Sequence, residues 1–219
     1  MYKEKVKVCQ KLRVNLWASP QIHHSRKAKW KDLQKHSFVL SSPLSAHRVA
    51  RLQPKKYLYV NRRRTKQRLK SYYGGLTEKR FGAEYRSSSP ERPFLSLLER
   101  RLDVSLYRLH FAATPFAASQ GISHGAFLLN GQKVSLKNQP LHPGDLIEVA
   151  PKALSRLRKG TKDRIQRALR KEIFLGPVPN HLEVNYGLMK AIYLFPPQPE
   201  GLRFPGKGLE LAHLQEWYA

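Results

Sequence analysis

Cationic side chains at close spacing are the residues of this chain best equipped for chemistry. Arg62-Arg63-Arg64 with Lys66, Arg68 and Lys70 form one group, and Arg100, Arg101 and Arg108 form a second. Ser123-His124-Gly125 lies at the entry to a hairpin, where a backbone close to phosphate is useful or the glycine serves a tight turn, and Lys133 follows the hairpin, pointing outward beside the basic helix. Guanidinium and ammonium donors repeated in this way suit charge-assisted hydrogen bonds to phosphate oxygens. They do not suit bond-breaking chemistry, because the sequence holds no nucleophile triad, phosphate loop or paired-carboxylate motif. The single cysteine, Cys9, excludes an intrachain disulfide and a multi-cysteine zinc site. His23-His24 belongs on an exposed basic loop rather than at a metal, so neither metal nor cofactor is expected.

These groups need elements to position them. From Phe94 onward, Leu97, Leu98, Leu102, Leu106 and Leu109 recur at helical spacing with the arginines between them. That pattern predicts a helical segment burying one face and keeping the other basic. Thr114-Pro115 opens a second helix over the apolar stretch from Ala112 to Ser119, as an N-cap followed by proline at the first helical position. Asn130-Gly131, set between Phe127-Leu128-Leu129 and Gln132-Lys133-Val134, predicts a two-residue hairpin turn. Pro143-Gly144-Asp145 makes another turn, and Leu146-Ile147-Glu148-Val149 reads as a third strand. A helix pair feeding a small sheet results. It is too small to enclose a substrate, yet it can hold a cationic helix face beside a strand edge, which fits shape reading of RNA.

Composition points the same way. Lys and Arg number 41 against 15 Asp and Glu, a formal charge of +26, which is costly in self-repulsion unless a polyanion neutralises it. From His47 to Lys70 there are ten Lys or Arg and no acid, interleaved with Tyr57 and Tyr59. Membrane attachment is the competing use of such charge. Against it stand a mean hydropathy of −0.56, no run of 18 apolar residues and no lipidation motif.

The segment LERRLDVSLYRLHFAATPFAASQGISHG, followed by FLLNGQKVSL and LHPGDLIEV, resembles the RNA-binding module of the ribosomal protein S4 family. Tyr73-Gly74-Gly75-Leu76-Thr77-Glu78-Lys79-Arg80-Phe81 is similar to that family's signature after its first basic segment, Cys9 to Leu12 with Asn15-Leu16-Trp17 to its N-terminal region, and Leu182 to Tyr186 to its closing strand. The resemblance implies a structural, non-catalytic protein that binds the 5′ region of small-subunit rRNA, supports assembly, and lines the mRNA entry beside proteins three and five of that subunit. Arg108-Leu109-His110-Phe111 and Glu183-Val184-Asn185-Tyr186 look most like plant and algal mitochondrial members, which implies a mitochondrial ribosome, with a bacterial cytoplasm or plastid as alternatives. Family-like residues begin by Cys9, so an organellar leader is not expected ahead of them. The same module occurs in pseudouridine synthases and some tRNA synthetases, and Arg101-Leu102-Asp103 superficially resembles a catalytic segment of the former. No large α/β catalytic region accompanies it, and Asp103 is expected to pair with a neighbouring arginine or to cap helix charge. A free RNA-binding translational regulator is the other alternative.

The expected organisation is α+β in three parts. Residues 1–93 make a basic arm and helical rRNA-binding lobe, with Leu12, Val14, Leu16 and Trp17 as anchors and Tyr72-Tyr73 either stacked on bases or buried. A linker at Ser87 to Pro90 leads to the module, 94–155. Residues 156–219 supply a basic helix anchored by Ile165, Ala168 and Leu169, strands at Leu182 to Val184 and Ala191 to Phe195 packing on the N-terminal half, and a last helix or packing segment at Leu211 to Tyr218.

Overall fold

A computed structural model describes residues 8, 9, 12, 16, 17, 54–89, 93–170 and 176–198. The expectations at Val14, His23-His24 and Leu211 to Tyr218 lie outside them. Two compact units divide the chain: Met1–Gly75 with Phe204–Ala219, and Leu76–Arg203. The sequence-expected boundaries at 93 and 155 both fall inside the second.

In the first unit, α1 (Pro54–Tyr72) buries Thr65, Lys66, Leu69 and Tyr72, and Tyr73 just past its end is buried with them. Spacings of one, four, seven and eight residues place these on one helix face, and Arg63, Arg64 and Gln67 stay exposed. The helix stops at Gly74-Gly75, whose φ values of 83° and 73° lie in the left-handed region that a Cβ disfavours. Gly75 N–H donates to the Lys70 carbonyl at 2.9 Å, the six-to-one closure of a Schellman ending. Leu16 and Trp17 are buried as expected, and Trp17 Nε1 donates to the Tyr72 carbonyl at 3.4 Å, while Leu12 is only half-buried. Burial pushes the Cys9 thiol up to about 11, so it stays protonated at neutral pH.

The second unit begins with α2 (Glu78–Arg86), capped by Thr77 Oγ1, which accepts from Arg80 N–H. Its Phe81 and Tyr85 rings meet Phe94 edge-on at 5.0 and 5.4 Å, so aromatic packing spans the stretch expected to be a linker. The leucine-rich segment forms two helices, α3 (Phe94–Glu99) and α4 (Leu102–Arg108), rather than one. The break has a backbone cause: Leu102 N–H donates to the Gln139 carbonyl and Leu141 N–H to the Arg100 carbonyl, each at 2.9 Å, pinning the chain between the helices to the loop before β3. Helix α5 (Pro115–Ser123) starts at the expected cap, where Thr114 Oγ1 accepts from Ala117 N–H.

Strands β1 (Phe127–Leu129) and β2 (Gln132–Lys133) join through Asn130 and Gly131, both at positive φ, 51° and 78°, as a primed two-residue turn requires. Asn130 also fixes the next turn: its Nδ2 donates to Asp145, and its Oδ1 accepts from Leu146 N–H. After β3 (Leu146–Val149) the chain enters α6 (Pro151–Leu169), then β4 (Leu182–Asn185) and β5 (Lys190–Tyr193). All five strands form one antiparallel sheet in the order β2-β1-β3-β5-β4. The C-terminal strands therefore extend the module's own sheet. Leu194 and Phe195 lie past the end of β5 and are exposed.

A single core lies under this sheet, built from Leu102, Leu106, Leu109, Phe111, Ile122, Phe127, Leu141, Ile147 and Tyr193 among others. Helix α6 packs on it through Ala153, Leu154 and Leu157. The expected anchors lie past this contact: Ile165 and Ala168 are half-buried and Leu169 is 78% exposed. His110, in the left-handed region at φ 62°, locks the helix instead, because its carbonyl accepts from Thr161 Oγ1 and from both Nε and Nη2 of Arg164. Among the described residues no helix is long and apolar enough to cross a membrane.

Candidate nucleic-acid interface

The nominated cations divide sharply by environment. Arg101 opens α4 but turns inward: Nε and Nη2 donate to the two Asp103 oxygens at 3.2 and 2.7 Å, and Nη2 also donates to Asn138 Oδ1 at 3.0 Å. Ser119 Oγ donates to the same carboxylate at 3.2 Å. Burial pushes the Asp103 carboxyl up, and Arg101 and Ser119 pull it back. Arg108, at the end of α4, grips Glu99 of α3 through Nε at 2.9 Å and through Nη2. Both carboxylates are at most 1% exposed and both guanidinium side chains 7%. The expected basic helix face is thus corrected at two of its three positions. A carboxylate lies within reach of each of these arginines, and water does not, so folding neutralises the charge before any polyanion can.

Arg100 differs. It caps α3, is half-buried, and its Nε lies buried with no hydrogen-bond partner. Near it are His181 and Tyr193, whose Nε2 and hydroxyl are likewise buried and unpartnered and whose rings meet edge-on at 5.8 Å. Burial pulls His181 down to about 4 and pushes Tyr193 up to about 12, so both are neutral at pH 7.

Ser123, His124 and Lys133 do come together. Ser123 and His124 end α5 and are exposed, with Ser123 Oγ donating back to the Ser119 carbonyl at 3.0 Å. Gly125 follows at φ 65°, and the Lys133 stem crosses directly above it, so that a Cβ there would lie 2.3 Å from Lys133 Cε. Hairpin and helix end thus present an ammonium, an imidazole and a hydroxyl on one exposed corner. Helix α5 itself offers no cation, since its exposed or half-exposed residues are Phe116, Ala117, Ser119, Gln120, Gly121 and Ser123.

On α1, Arg63 and Arg64 are exposed, Arg68 and Lys70 half-buried, and Lys66 buried. Arg62 lies in the same helix. Lys66 is therefore a correction: the helix turns it into the unit's interior beside Thr65. Burial lowers the Arg68 pKa and the nearby Arg64 charge lowers it further, which marks a locally crowded positive potential. Tyr72 and Tyr73 are fully buried and edge-packed at 5.1 Å, which rules them out as base-stacking platforms.

The sequence predicts a basic face on α6 but no site residue there; the helix carries exposed Lys152, Arg156, Arg158, Lys159, Lys162 and Arg167, with Arg170 at its end. The available signal was basic residues recurring every three to four positions after Ala150-Pro151. Among the described residues no group of three His, Cys, Asp or Glu is placed to hold a metal ion.

Comparison with known proteins bears on this geometry. The family model described as the S4 domain matches residues 100–147, which run from the α3–α4 junction through the hairpin into β3. The small ribosomal subunit protein uS4 of Acidiphilium cryptum is 37% identical over 145 residues, covering 64% of this chain and 67% of that protein. Its counterpart in Methylobacterium nodulans is 36% identical over 148 residues, covering 65% and 68%. That of Methylorubrum populi is 41% identical over 134 residues, covering 58% and 61%.

Proposed function

The chain belongs to the small ribosomal subunit protein uS4 family, and we propose from this that it is a structural constituent of a small ribosomal subunit, binding the 5′ region of its rRNA. One observation carries the reading. Similarity to the ribosomal relatives extends over 145 residues, far beyond the 100–147 module that RNA-modifying enzymes also use. The environment of Asp103 supports a non-catalytic role, since a carboxylate that is 1% exposed and held by Arg101 and Ser119 has no route to a substrate base.

The mechanism is neutralisation by positioned charge. Arg62, Arg63, Arg64, Arg68 and Lys70 serve one unit, and Arg100, Ser123, His124 and Lys133 the other. Arg101 and Arg108 hold the helix pair that carries the corner, and Lys66 supports α1 from within. Each phosphate met by an exposed cation releases counterions, which supplies affinity without reading sequence. Early assembly, a place at the mRNA entry beside proteins three and five, and a mitochondrial ribosome complete the proposal. They rest on family resemblance and on the motifs at residues 108–111 and 183–186.

Gradient sedimentation of the tagged chain from fractionated cells is the test. Co-migration with the small subunit in the mitochondrial fraction is the expected result. A peak at the top of the gradient with messenger RNA would replace this reading with a free translational regulator.

A further inference from the structure

Helix α6 has two sides of opposite character. Its inner side is fixed to the core by Ala153, Leu154, Leu157 and Thr161, by Arg164 on the His110 carbonyl, and by Arg158 Nη2 donating to the Gly187 carbonyl at 2.7 Å. Its outer side carries Lys152, Arg156, Lys159 and Arg167, and Arg170 continues the line at the C-cap. At 3.6 residues per turn these five fall within an arc of about 80° and run for about 27 Å. Asp163, the one acid on the helix, is exposed and falls inside the same arc, four residues from both Lys159 and Arg167, so the row carries five cations against one acid. Lys152 with Arg156, Arg156 with Lys159, Lys159 with Lys162, and Arg167 with Arg170 sit three or four residues apart, where like charges oppose the helix. The two opposite-charge spacings around Asp163 offset only part of this repulsion, and a polyanion would relieve the rest.

We propose that the outer face of α6 is a second RNA-binding surface, distinct from the Ser123-His124-Lys133 corner, and that it takes the phosphate backbone of a double-stranded RNA segment without reading its bases. The occupant follows from what the face contains. It offers cationic donors interrupted only by Asp163 along a straight rod, and no aromatic side chain on which an unpaired base can stack, which removes the usual grip on single strands. Its apolar side is already spent on the core, so α6 has no hydrophobic face to insert into a bilayer. A rigid row of cations matches a duplex, which proteins recognise through backbone and shape. The inference rests on the RNA-binding role above and extends it to a second segment.

The test uses the full chain with Lys152, Arg156, Lys159, Arg167 and Arg170 all changed to Gln, a residue that keeps helix propensity. Binding is measured to an arbitrary RNA duplex of ~16 base pairs and to a 5′ small-subunit rRNA fragment, across about 50 to 200 mM salt. We expect at least ten-fold weaker duplex binding and a log–log salt slope shallower by roughly four, at 0.9 per phosphate contact. The single reversal Arg156→Glu gives the same direction if the five-fold variant melts early, and Arg156→Lys with Arg167→Lys restores wild-type binding. Unchanged duplex affinity and slope in the variants overturn the inference, as does a loss confined to phosphatidylserine vesicles or to an acidic peptide. A wild-type chain that binds rRNA, with variants that bind duplex normally, sinks only the α6 surface. A wild-type chain that binds neither RNA sinks the ribosomal reading itself.

Discussion

Arg101 and Arg108 on α4, and Arg156 and Arg167 on α6, are the same residue type on neighbouring helices of one unit, yet they do opposite work. The α4 pair is buried against Asp103 and Glu99, whereas the α6 pair is exposed and, among the described residues, makes no ion pair. Charge in the first region is spent on holding α3, α4 and the loop at Asn138 together. In the second it remains on the surface, available to a polyanion. A count of arginines therefore says nothing about which of them meet RNA; the position of the nearest carboxylate decides.

The largest effect expected from breaking this contrast is on stability. Glu99→Ala or Asp103→Ala leaves a buried guanidinium without its counter-charge, a change that costs about 3–5 kcal/mol. Arg156→Gln on α6 changes unfolding by no more than about 0.5 kcal/mol, as exposed substitutions generally do. Urea unfolding of the three variants checks this. Equal, small losses in all three would show that the α4 pairs are surface-like and that the two regions do not differ.

Acid sharpens the comparison through two histidines in the same unit. His110 Nε2 donates to the Gly176 carbonyl at 3.0 Å, which leaves Nδ1 to accept from the Tyr186 hydroxyl at 3.1 Å, a neutral tautomer. Burial holds both His110 and His181 down to about 4 from an ordinary 6.5. The unfolded chain then binds protons that the fold refuses. Stability is fully present above pH 6.5 and is lost as pH falls toward 4, on the order of 3 kcal/mol for each ring. The raised Asp103 carboxyl titrates in the opposite sense, because there the fold holds the proton, and it blunts the acid end of the curve. Urea midpoints between pH 7 and 4 measure the sum, and His181→Gln should remove about half of the histidine slope. A profile that His181→Gln leaves unchanged would mean that the His181 ring is not held neutral.

A smaller effect is expected at the hairpin corner. Gly125→Ala forces a Cβ into a left-handed backbone and against Lys133 Cε, so it costs about 1–2 kcal/mol and swings the ammonium away from His124. Lys133→Ala removes the charge and leaves stability nearly unchanged. If the corner binds RNA, both variants weaken that binding and only the first lowers the melting temperature.

What the sequence disclosed and what it concealed follow from the range of the interactions. The Thr114 cap and the Asn130-Gly131 turn were legible because each is decided within three residues, by a hydroxyl or by tolerance of positive φ. The break between α3 and α4 was not, because its cause lies some forty residues away in the carbonyl of Gln139 and the amide of Leu141. The pairing of Arg108 with Glu99 was hidden for a related reason: nine residues apart, they share no helix face, and they meet only after that break folds α4 back on α3. On α6 the period was visible but its phase was misplaced. The anchors are Ala153, Leu154, Leu157 and Thr161, and Leu169 lies beyond the edge of the core they cover. Ser123, His124 and Lys133 share one exposed corner only because the fold brings Lys133 over Gly125, a contact no local pattern encodes.

The smallest expected effect tests whether exposure alone, in a helix of the other unit, predicts RNA contact. Arg63 and Arg64 are exposed on α1, while Lys66 of the same helix is buried. Arg63→Ala and Arg64→Ala should each leave stability within about 0.5 kcal/mol of wild type and make the salt slope of rRNA binding shallower by about 1. Lys66→Ala should do the reverse, lowering the melting temperature through lost packing of its stem while the slope stays near that of the parent chain. Filter binding at several salt concentrations, beside thermal melts, separates the two columns of effect. A slope that shrinks for Lys66 and not for its exposed neighbours would mean that α1 opens on RNA, and burial in the free chain would then cease to mark which cations bind.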